Sequence, residues 1–269
     1  MNLTTLLPEI PPETAAWVYV LCVAGAVMII GISKSGFGGG VGVVAVPLMA
    51  VALPTDRTIG VLLPVLIVAD LFSIRHHRGK QSTAHFRWMI TGALLGIAGG
   101  TLVLWWLQET GALEQALNLL IGSLCLFFVG LQVYRLLGGN VPHLPQTPTA
   151  GRSAGALAGF VSTLMHGAGP VMSVYLLEQR LTKARLVGTA VLFIFIVNVT
   201  KLPTYFGLSL INPTSLLQSL WCVPLVPIGT LAGYWMHTRI NEKAFSAVMY
   251  SGAALAAGHM LYEAFVLSG

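Results

Sequence analysis

Long apolar runs separated by short polar stretches dominate the chain, and most runs are too long for strands, so they predict helices. The first half predicts helices at Ala16–Ser33, Val41–Leu53, Arg57–Arg75, Arg87–Leu107 and Leu113–Leu137. The second half predicts helices at Arg152–Met165, Pro170–Arg180, Arg185–Phe206, Ser215–His237 and Glu242–Val266. About 20 apolar helical residues cross the hydrocarbon core of a bilayer. The pattern therefore predicts an all-α polytopic membrane protein.

Composition agrees with this fold class. Of the 269 residues, 55% are hydrophobic and 9% are charged, whereas a soluble domain carries about 25% charged residues. The net charge of +5 comes from Lys and Arg in the polar stretches, which is typical of orientation in a membrane and not of a nucleic-acid surface. The expected partners are the lipid bilayer and a small solute, with no nucleic acid. Cys22, Cys125 and Cys222 lack metal-ligand spacing, so neither a metal nor a cofactor is expected.

A glycine-rich interruption of an apolar helix occurs twice, once in each half. The first is Ser35–Gly40 and the second is His166–Pro170. Shifting the sequence by 128 residues without gaps aligns identical residues in the two halves, among them Gly31 with Gly159, Gly39 with Gly167, Val46 with Val174, Leu48 with Leu176, Arg57 with Arg185, and Gly60 with Gly188. Helices interrupted at corresponding places in two halves indicate the binding site of a transporter.

Loop charges orient the predicted segments. The basic stretch Arg75–Lys80 is expected on the cytoplasmic side, which puts both termini in the periplasm and leaves Arg57 as the one conflicting residue. The predicted organisation is a periplasmic segment 1–15, a first repeat 16–137, a cytoplasmic linker 138–150 and a second repeat 151–269. No cleavable signal is expected, because residues 1–14 contain no Lys or Arg. Five segments per repeat is an odd number, so the two repeats have inverted topology.

The second segment of each half is too short to cross a bilayer. Thirteen residues at Val41–Leu53 would rise about 20 Å, against about 30 Å of hydrocarbon. Each short segment is therefore expected to form a re-entrant or half-crossing hairpin with the helix before it. Such a hairpin enters and leaves by one face and preserves the orientation of all later segments.

The glycine interruptions are expected to create an anion site. Irregular backbone inside a bilayer occurs only where it lines a cavity or is covered by protein. Each interruption restarts a helix whose first N–H groups lack intrahelical partners and whose terminus carries partial positive charge. Two such termini approaching from opposite faces would bind an anion. The alternative is that the glycines serve close helix packing, which is the preferred interpretation for Gly96, Gly99 and Gly100.

These motifs resemble a known family. Gly31–Gly40 followed by Val46–Leu48 is similar to the first-half signature of the TauE/SafE sulfite exporter family (TSUP). His166–Pro170, together with Gly188, Thr189, Asn198 and Lys201 further on, resembles its second-half signature. The resemblance extends from about residue 16 to residue 267. It implies a bacterial inner-membrane carrier of sulfite, thiosulfate or small organosulfonates such as sulfoacetate, often working outward.

Ionisable residues at membrane depth are costly and normally face the interior of the bundle. Asp70 either carries a coupling proton or neutralises a nearby cation, unless its helix ends early and leaves it at the interface. Lys201 either supplies positive charge for the anion or extends to the membrane surface. Lys34 either serves the site or anchors the helix, and His166 either adds charge to the site or is a structural histidine.

The sequence thus predicts a secondary transporter of small sulfur-containing anions, with Asp70 as the proton-coupling residue. The predicted substrate-binding residues are those of the two interruptions and the polar residues near them: Lys34, Ser35, Gly36, Phe37, Gly38, Gly39, Gly40, Thr163, His166, Gly167, Gly169, Pro170, Asn198 and Lys201. Self-association into a homo-oligomer stays open.

Three alternatives to a carrier of sulfur anions remain at this point. The first is a transporter or channel for another small anion. The second is an intramembrane enzyme, which is disfavoured because Gly31–Lys34 fails a G-x-S-G serine motif at its fourth position and because H-E-x-x-H is absent. The third is a structural membrane subunit.

Overall fold

The computed structural model describes residues 14–34, 40–77, 79–139, 144–239 and 242–266. Within these ranges the regular structure consists of twelve α-helices and one short 3₁₀ helix. The predicted all-α fold is confirmed. Residues 1–13 of the predicted N-terminal segment lie outside the described residues.

The helices follow the chain as follows. In the first half they are α1 (Ala16–Lys34), the 3₁₀ helix (Gly40–Val44), α2 (Ala45–Ala50), α3 (Thr55–His77), α4 (Thr83–Glu109) and α5 (Leu113–Leu136). In the second half they are α6 (Pro148–Met165), α7 (Ala168–Leu177), α8 (Lys183–Thr200), α9 (Leu202–Gly207), α10 (Pro213–Cys222), α11 (Leu225–Arg239) and α12 (Glu242–Val266).

Each predicted segment corresponds to helical structure, and the differences lie in where helices begin and break. The predicted Val41–Leu53 helix is the 3₁₀ helix followed by the short α2. The predicted Arg185–Phe206 helix breaks at Lys201, because Pro203 in the first turn of α9 has no N–H for a continuing helix. The predicted Ser215–His237 helix breaks between α10 and α11, at Pro224.

The sixth predicted segment begins earlier than expected. α6 starts at Pro148 and not at Arg152, because the side chain of Thr147 accepts a hydrogen bond from the backbone N–H of Ala150. A threonine N-cap followed by proline at the first helical position is a favourable helix start. The regular helix therefore extends into the stretch predicted as linker.

In the part of the chain that the structure describes, six helical stretches are long and apolar enough to cross a membrane: Ala16–Lys34, Thr55–Arg75, Thr83–Glu109, Leu113–Arg135, Ala184–Gly207 and Pro213–Met236. Apolar side chains cover their outer faces, and Leu21, Leu95 and Leu231 are 64%, 75% and 72% exposed. Such surfaces are unfavourable in water and are solvated by lipid tails. The protein is therefore a multi-pass membrane protein. α7 has ten residues and rises only about 15 Å, half of the hydrocarbon thickness.

Helices from the two halves pack tightly against each other. α4 packs along α6, α1 packs along α11, α3 packs along α8, and α5 packs along α12. Glycines allow the first two contacts. A Cβ added at Gly96 would overlap the backbone of Ala156, and one added at Gly31 would lie 2.7 Å from the carbonyl oxygen of Val226. The packing interpretation therefore holds for Gly96.

Gly96→Ala is expected to destabilise the protein by about 1–3 kcal/mol, because the added methyl overlaps α6 and forces α4 and α6 apart. Gly258→Ala on α12 is the matched control, since a Cβ there meets no atom within 4 Å. The measurement is thermal unfolding of both purified variants in detergent. A Gly96→Ala melting temperature equal to that of Gly258→Ala would contradict the described α4–α6 contact.

Candidate functional site

The second glycine interruption lies between α6 and α7. α6 ends at Met165, and His166 adopts a left-handed backbone conformation with φ of +56°, which is uncommon for a residue with a side chain. α7 starts at Ala168, with Gly167 at its N-cap. The predicted helix start at Pro170 is thus two residues late. Pro170 nevertheless lies in the first turn, where N–H groups have no intrahelical partner, so its missing N–H costs the helix nothing.

The first interruption occupies the corresponding place in the first half. α1 ends at Lys34, and helical structure resumes at Gly40. The predicted site residues between them, which are Ser35, Gly36, Phe37, Gly38 and Gly39, lie outside the described residues. α2 has only six residues and follows a 3₁₀ helix, so it offers no helix terminus comparable to that of α7.

Asp70 is the centre of a buried polar cluster formed by α1, α3 and α8. Its carboxylate forms an ion pair with the ammonium of Lys34 and accepts a hydrogen bond of 2.7 Å from the side-chain amide of Asn198. The Asp70 side chain is fully buried, and α3 continues for two further turns to His77. Asp70 therefore neutralises a nearby cation inside the bundle, and the early-ending helix is excluded.

Lys201 is fully buried where α8 gives way to α9. Its ammonium donates to the backbone carbonyl of Ser162 at 2.8 Å and to the Ser162 hydroxyl at 3.0 Å, and it lies 3.0 Å from Nδ1 of His166. The ammonium also lies 5.8 Å from the ring centroid of Tyr205, a cation–π distance. Lys201 thus points into the protein, and the surface-anchor alternative is wrong.

The two nitrogens of the His166 ring have different partners. Nε2 lies 2.9 Å from the backbone carbonyl oxygen of Ile59, which only accepts hydrogen bonds. Nδ1 faces the ammonium of Lys201, which only donates. The partners therefore assign the proton to Nε2 and leave Nδ1 as an acceptor. A neutral imidazole fits this arrangement. In a doubly protonated ring the Nδ1–H donor would point at the Lys201 ammonium, which is also a donor.

The Lys34–Asp70 ion pair leaves Lys201 without a carboxylate partner among the described residues. A protonated Lys201 therefore gives the cluster two positive charges against the one negative charge of Asp70. The three acceptors around Lys201 are all neutral groups. An uncompensated charge in a protein interior is energetically unfavourable. The geometry therefore favours binding of an anion close to these lysines.

A cavity of about 470 Å³ adjoins the cluster and is lined by the end of α1 and by the second interruption. Its polar wall consists of Ser33, Lys34, His166 and Asn198. The first turn of α7 contributes Ala168, Gly169 and Pro170 to the same wall. Unpartnered helical N–H groups and a lysine facing one cavity provide donors for a negatively charged ligand.

The predicted site residues divide into three groups by position. Lys34, His166, Gly169, Pro170 and Asn198 line the cavity. Asp70 and Lys201 lie behind this wall and contact it through Lys34, Asn198 and His166.

Three predicted residues have other surroundings. Thr163 is buried, and its hydroxyl donates to the carbonyl of Gly159 at 2.8 Å, while its own carbonyl accepts from the Tyr205 hydroxyl. A Cβ at Gly167 would lie 2.9 Å from Val161, so this glycine is enclosed by α6. Gly40 begins the 3₁₀ helix. Thr163 and Gly167 therefore shape the interruption without lining the cavity.

Two serines of the site are not predicted from the sequence. Ser33 lines the cavity, and Ser162 provides both oxygen ligands of Lys201. The signal that points to Ser162 is the 128-residue shift, which aligns it with Lys34. Both residues follow apolar runs, and serine within a transmembrane helix is too common to identify a site by itself.

The family profile described as sulfite exporter TauE/SafE matches residues 23–260, which is nearly the whole chain. The chain belongs to the TauE/SafE sulfite exporter family. This is a family of transporters of sulfite and related sulfur anions and not of enzymes, so the intramembrane-enzyme alternative is excluded. No curated protein and no solved structure matches the chain.

Asp70→Asn is expected to destabilise the protein by about 3–5 kcal/mol, because it leaves the Lys34 ammonium without its buried counter-ion. The double variant Asp70→Asn with Lys34→Met should recover most of the loss, since both charges are then removed. Glu109→Gln at the exposed end of α4 is the control for removal of a carboxylate. The measurement is chemical unfolding in detergent, and equal losses in the single and double variants would show that the ion pair is not the cause.

Proposed function

We propose that this TauE/SafE protein is a secondary transporter that moves a small sulfur-containing anion out of the cell across the bacterial inner membrane, coupled to the proton gradient. The observation that supports it best is the position of two lysines, Lys34 and Lys201, with the single carboxylate of Asp70 beside a cavity lined by the end of α1 and the start of α7. Sulfite, thiosulfate and organosulfonates are the candidate substrates. The family supports transport of such anions in general.

The anion is proposed to lie between Lys34 and the N-terminus of α7. Lys34 lines the same cavity as Ala168 and Gly169, the first two residues of α7, and the first N–H groups of a helix have no intrahelical partner. Asn198 lies on the cavity wall beside them. The sequence predicts two converging helix termini, but α2 is six residues long. The proposal therefore relies on the N-terminus of α7 alone, and the charge of Lys34 replaces the second helix terminus that the sequence predicts.

Contacts between the halves support an inverted repeat. Under the 128-residue shift α1 corresponds to α6, and α4 corresponds to α10 and α11. The α1–α11 contact is thus the counterpart of the α4–α6 contact, as a twofold relation between the halves requires. Residues close to such an axis meet their own equivalents, and Asp70 meets Asn198, 128 residues away. An odd number of segments per half then inverts the second repeat.

Charge gives the proposed orientation. Arg75, Lys80, Arg180 and Arg185 all lie in or beside loops that this topology assigns to the cytoplasm. Glu109 and Glu114 lie in the connection assigned to the periplasm. Both termini are then periplasmic, and the α7–α8 turn is cytoplasmic.

Unequal exposure of equivalent residues supports alternating access over a permanently open channel. Leu186 and Val187, in the first turns of α8, line the cavity. Their counterparts in α3 under the 128-residue shift are Thr58 and Ile59, and both are fully buried. The cavity thus reaches the end of α8 but not the corresponding end of α3. A carrier open to one side at a time has this asymmetry, whereas an open channel needs both ends accessible.

Competition for Lys34 provides a proposed mechanism of proton coupling. Lys34 pairs with Asp70 and also faces the cavity. An anion that takes over the Lys34 ammonium leaves Asp70 buried without its counter-ion, which favours the protonated carboxyl. Binding of the anion and protonation of Asp70 are then linked, so a proton leaves the cell with each exported anion, and the outward gradient of the anion drives both.

Lys201→Met is expected to weaken anion binding by about tenfold to a hundredfold, because it removes the uncompensated buried charge. The measurement is flux into proteoliposomes containing a pH-sensitive dye, with sulfite, thiosulfate, sulfoacetate, taurine, sulfate and chloride as test solutes. The exposed Lys80→Met is the matched control and should transport like the wild type. His166→Gly adds a variant that tolerates the left-handed backbone and lacks the imidazole.

Each result of this panel has a defined meaning. Saturable flux of one sulfur anion with a matching pH change supports the carrier and its coupling. Selective flux without a pH change retains the anion site and removes the role proposed for Asp70. Non-saturating flux of chloride and sulfate indicates a channel, and no flux of any of these six solutes by folded protein contradicts the proposed transport of sulfite, thiosulfate, sulfoacetate and taurine.

Val187→Cys should react with a membrane-impermeant thiol reagent at least tenfold faster than Ile59→Cys, because Val187 lines the cavity and its counterpart Ile59 is buried. Both variants are made in a protein in which the native Cys22, Cys125 and Cys222 are replaced by alanine. Rates are measured in proteoliposomes with reagent on either face. Simultaneous rapid labelling of both positions would contradict a cavity that opens to one side at a time.

A further inference from the structure

Most of the cavity wall is apolar. One face of α8 contributes Leu186, Val187, Ala190, Val191 and Ile194, which follow helical spacing. Leu177 and Leu181 from α7 and the following turn, and Leu62 and Leu66 from α3, complete this surface. We call these nine residues the apolar wall. Asn198 lies at the other end of the α8 stripe, and together with Lys34, which also contacts Asp70, it forms the polar end of the cavity.

The cavity is much larger than an inorganic sulfur oxyanion. From Leu186 to Asn198 it follows α8 for twelve residues, or about 18 Å. Its volume of about 470 Å³ equals that of roughly 15 water molecules at about 30 Å³ each. Sulfite has one sulfur and three oxygens, so it would occupy only the polar end. The apolar wall would then face the hydration water of the bound sulfite, and its side chains would make no contact with the substrate.

Charge is confined to the polar end. Among the described residues that line the cavity, Lys34 is the one with a permanently charged side chain, and none is Asp or Glu. A second charge on a bound molecule would therefore lie against leucine, valine and isoleucine, where burial of an unpaired ion is unfavourable. The ammonium of a zwitterion such as taurine would be buried there without a counter-ion. The same holds for the second anionic group of sulfoacetate.

We propose that the preferred substrate is a monoanionic organosulfonate with an uncharged apolar body. The sulfonate binds at Lys34 and the first turn of α7, and the hydrocarbon body lies along the apolar wall. This inference rests on the proposed anion carrier and narrows its substrate class. It predicts that inorganic sulfite, zwitterionic taurine and dianionic sulfoacetate bind with lower affinity than simple alkanesulfonates.

The test is a binding series from methanesulfonate to hexanesulfonate, measured by calorimetry on the full chain in lipid nanodiscs. The same series is measured with the Lys201→Met protein, and the heat from partition of the hydrocarbon tails into the lipid is subtracted. Affinity should rise about fourfold for each methylene buried against the wall, which corresponds to about 0.8 kcal/mol. The rise should stop when the wall is covered.

Propane-1-sulfonate and taurine form a matched pair, because they have the same shape and differ by a terminal methyl in place of an ammonium. Propane-1-sulfonate should bind at least tenfold more tightly. Equal or tighter binding of taurine, or affinity that does not depend on chain length, would overturn the inference and leave the anion carrier intact. Absence of binding by sulfite, thiosulfate and every sulfonate would contradict the proposed anion site itself.

Val191→Thr tests the apolar wall with a residue of nearly the same shape. The hydroxyl on the wall should reduce the gain per methylene. Val199→Thr on the same helix is the control, because Val199 is 38% exposed and does not line the cavity. An unchanged chain-length dependence in Val191→Thr would show that the bound tail does not follow α8.

Discussion

A membrane core provides no water for charges or unpaired backbone amides, so the polar groups of this protein must satisfy one another. The ion pair between Lys34 and Asp70 does so at the centre of the bundle, and Asn198 connects it from α3 to α8. Lys201 and His166 form a second set of contacts, in which Ser162 also takes part. A protonated Lys201 has no counter-ion among the described residues, and this is the physical basis of the proposed anion site.

The interrupted helices and the glycine contacts give these side chains their positions. Close approach of α4 to α6 at Gly96 brings the two halves into contact along their length. The left-handed His166 ends α6 and turns its ring between Ile59 and Lys201. A single residue thus connects α3, α6 and the end of α8. The short α7 then begins inside the protein instead of at its surface.

Much of this architecture can be predicted from the sequence, because apolar runs and loop charges depend on local composition. The breaks at Lys201 and near Pro224 are missed, since both lie within apolar runs that are otherwise continuous. The polar side chains Lys34, Asp70, Asn198 and Lys201 can be identified as buried residues, but their pairing cannot. Which oxygen lies near which nitrogen depends on how α1, α3, α6 and α8 pack, and this is set by contacts between distant residues.

The meeting of Asp70 with Asn198 bears on how such a protein arises. If the halves descend from one duplicated segment, the ancestral chain carried the same residue at both positions. Two aspartates in contact would have repelled each other unless they shared a proton, and two asparagines would have left Lys34 without a counter-ion. Divergence at this pair is therefore electrostatically favoured once the copies are fused. Gene fusion permits an asymmetric pair that a dimer of identical chains cannot form.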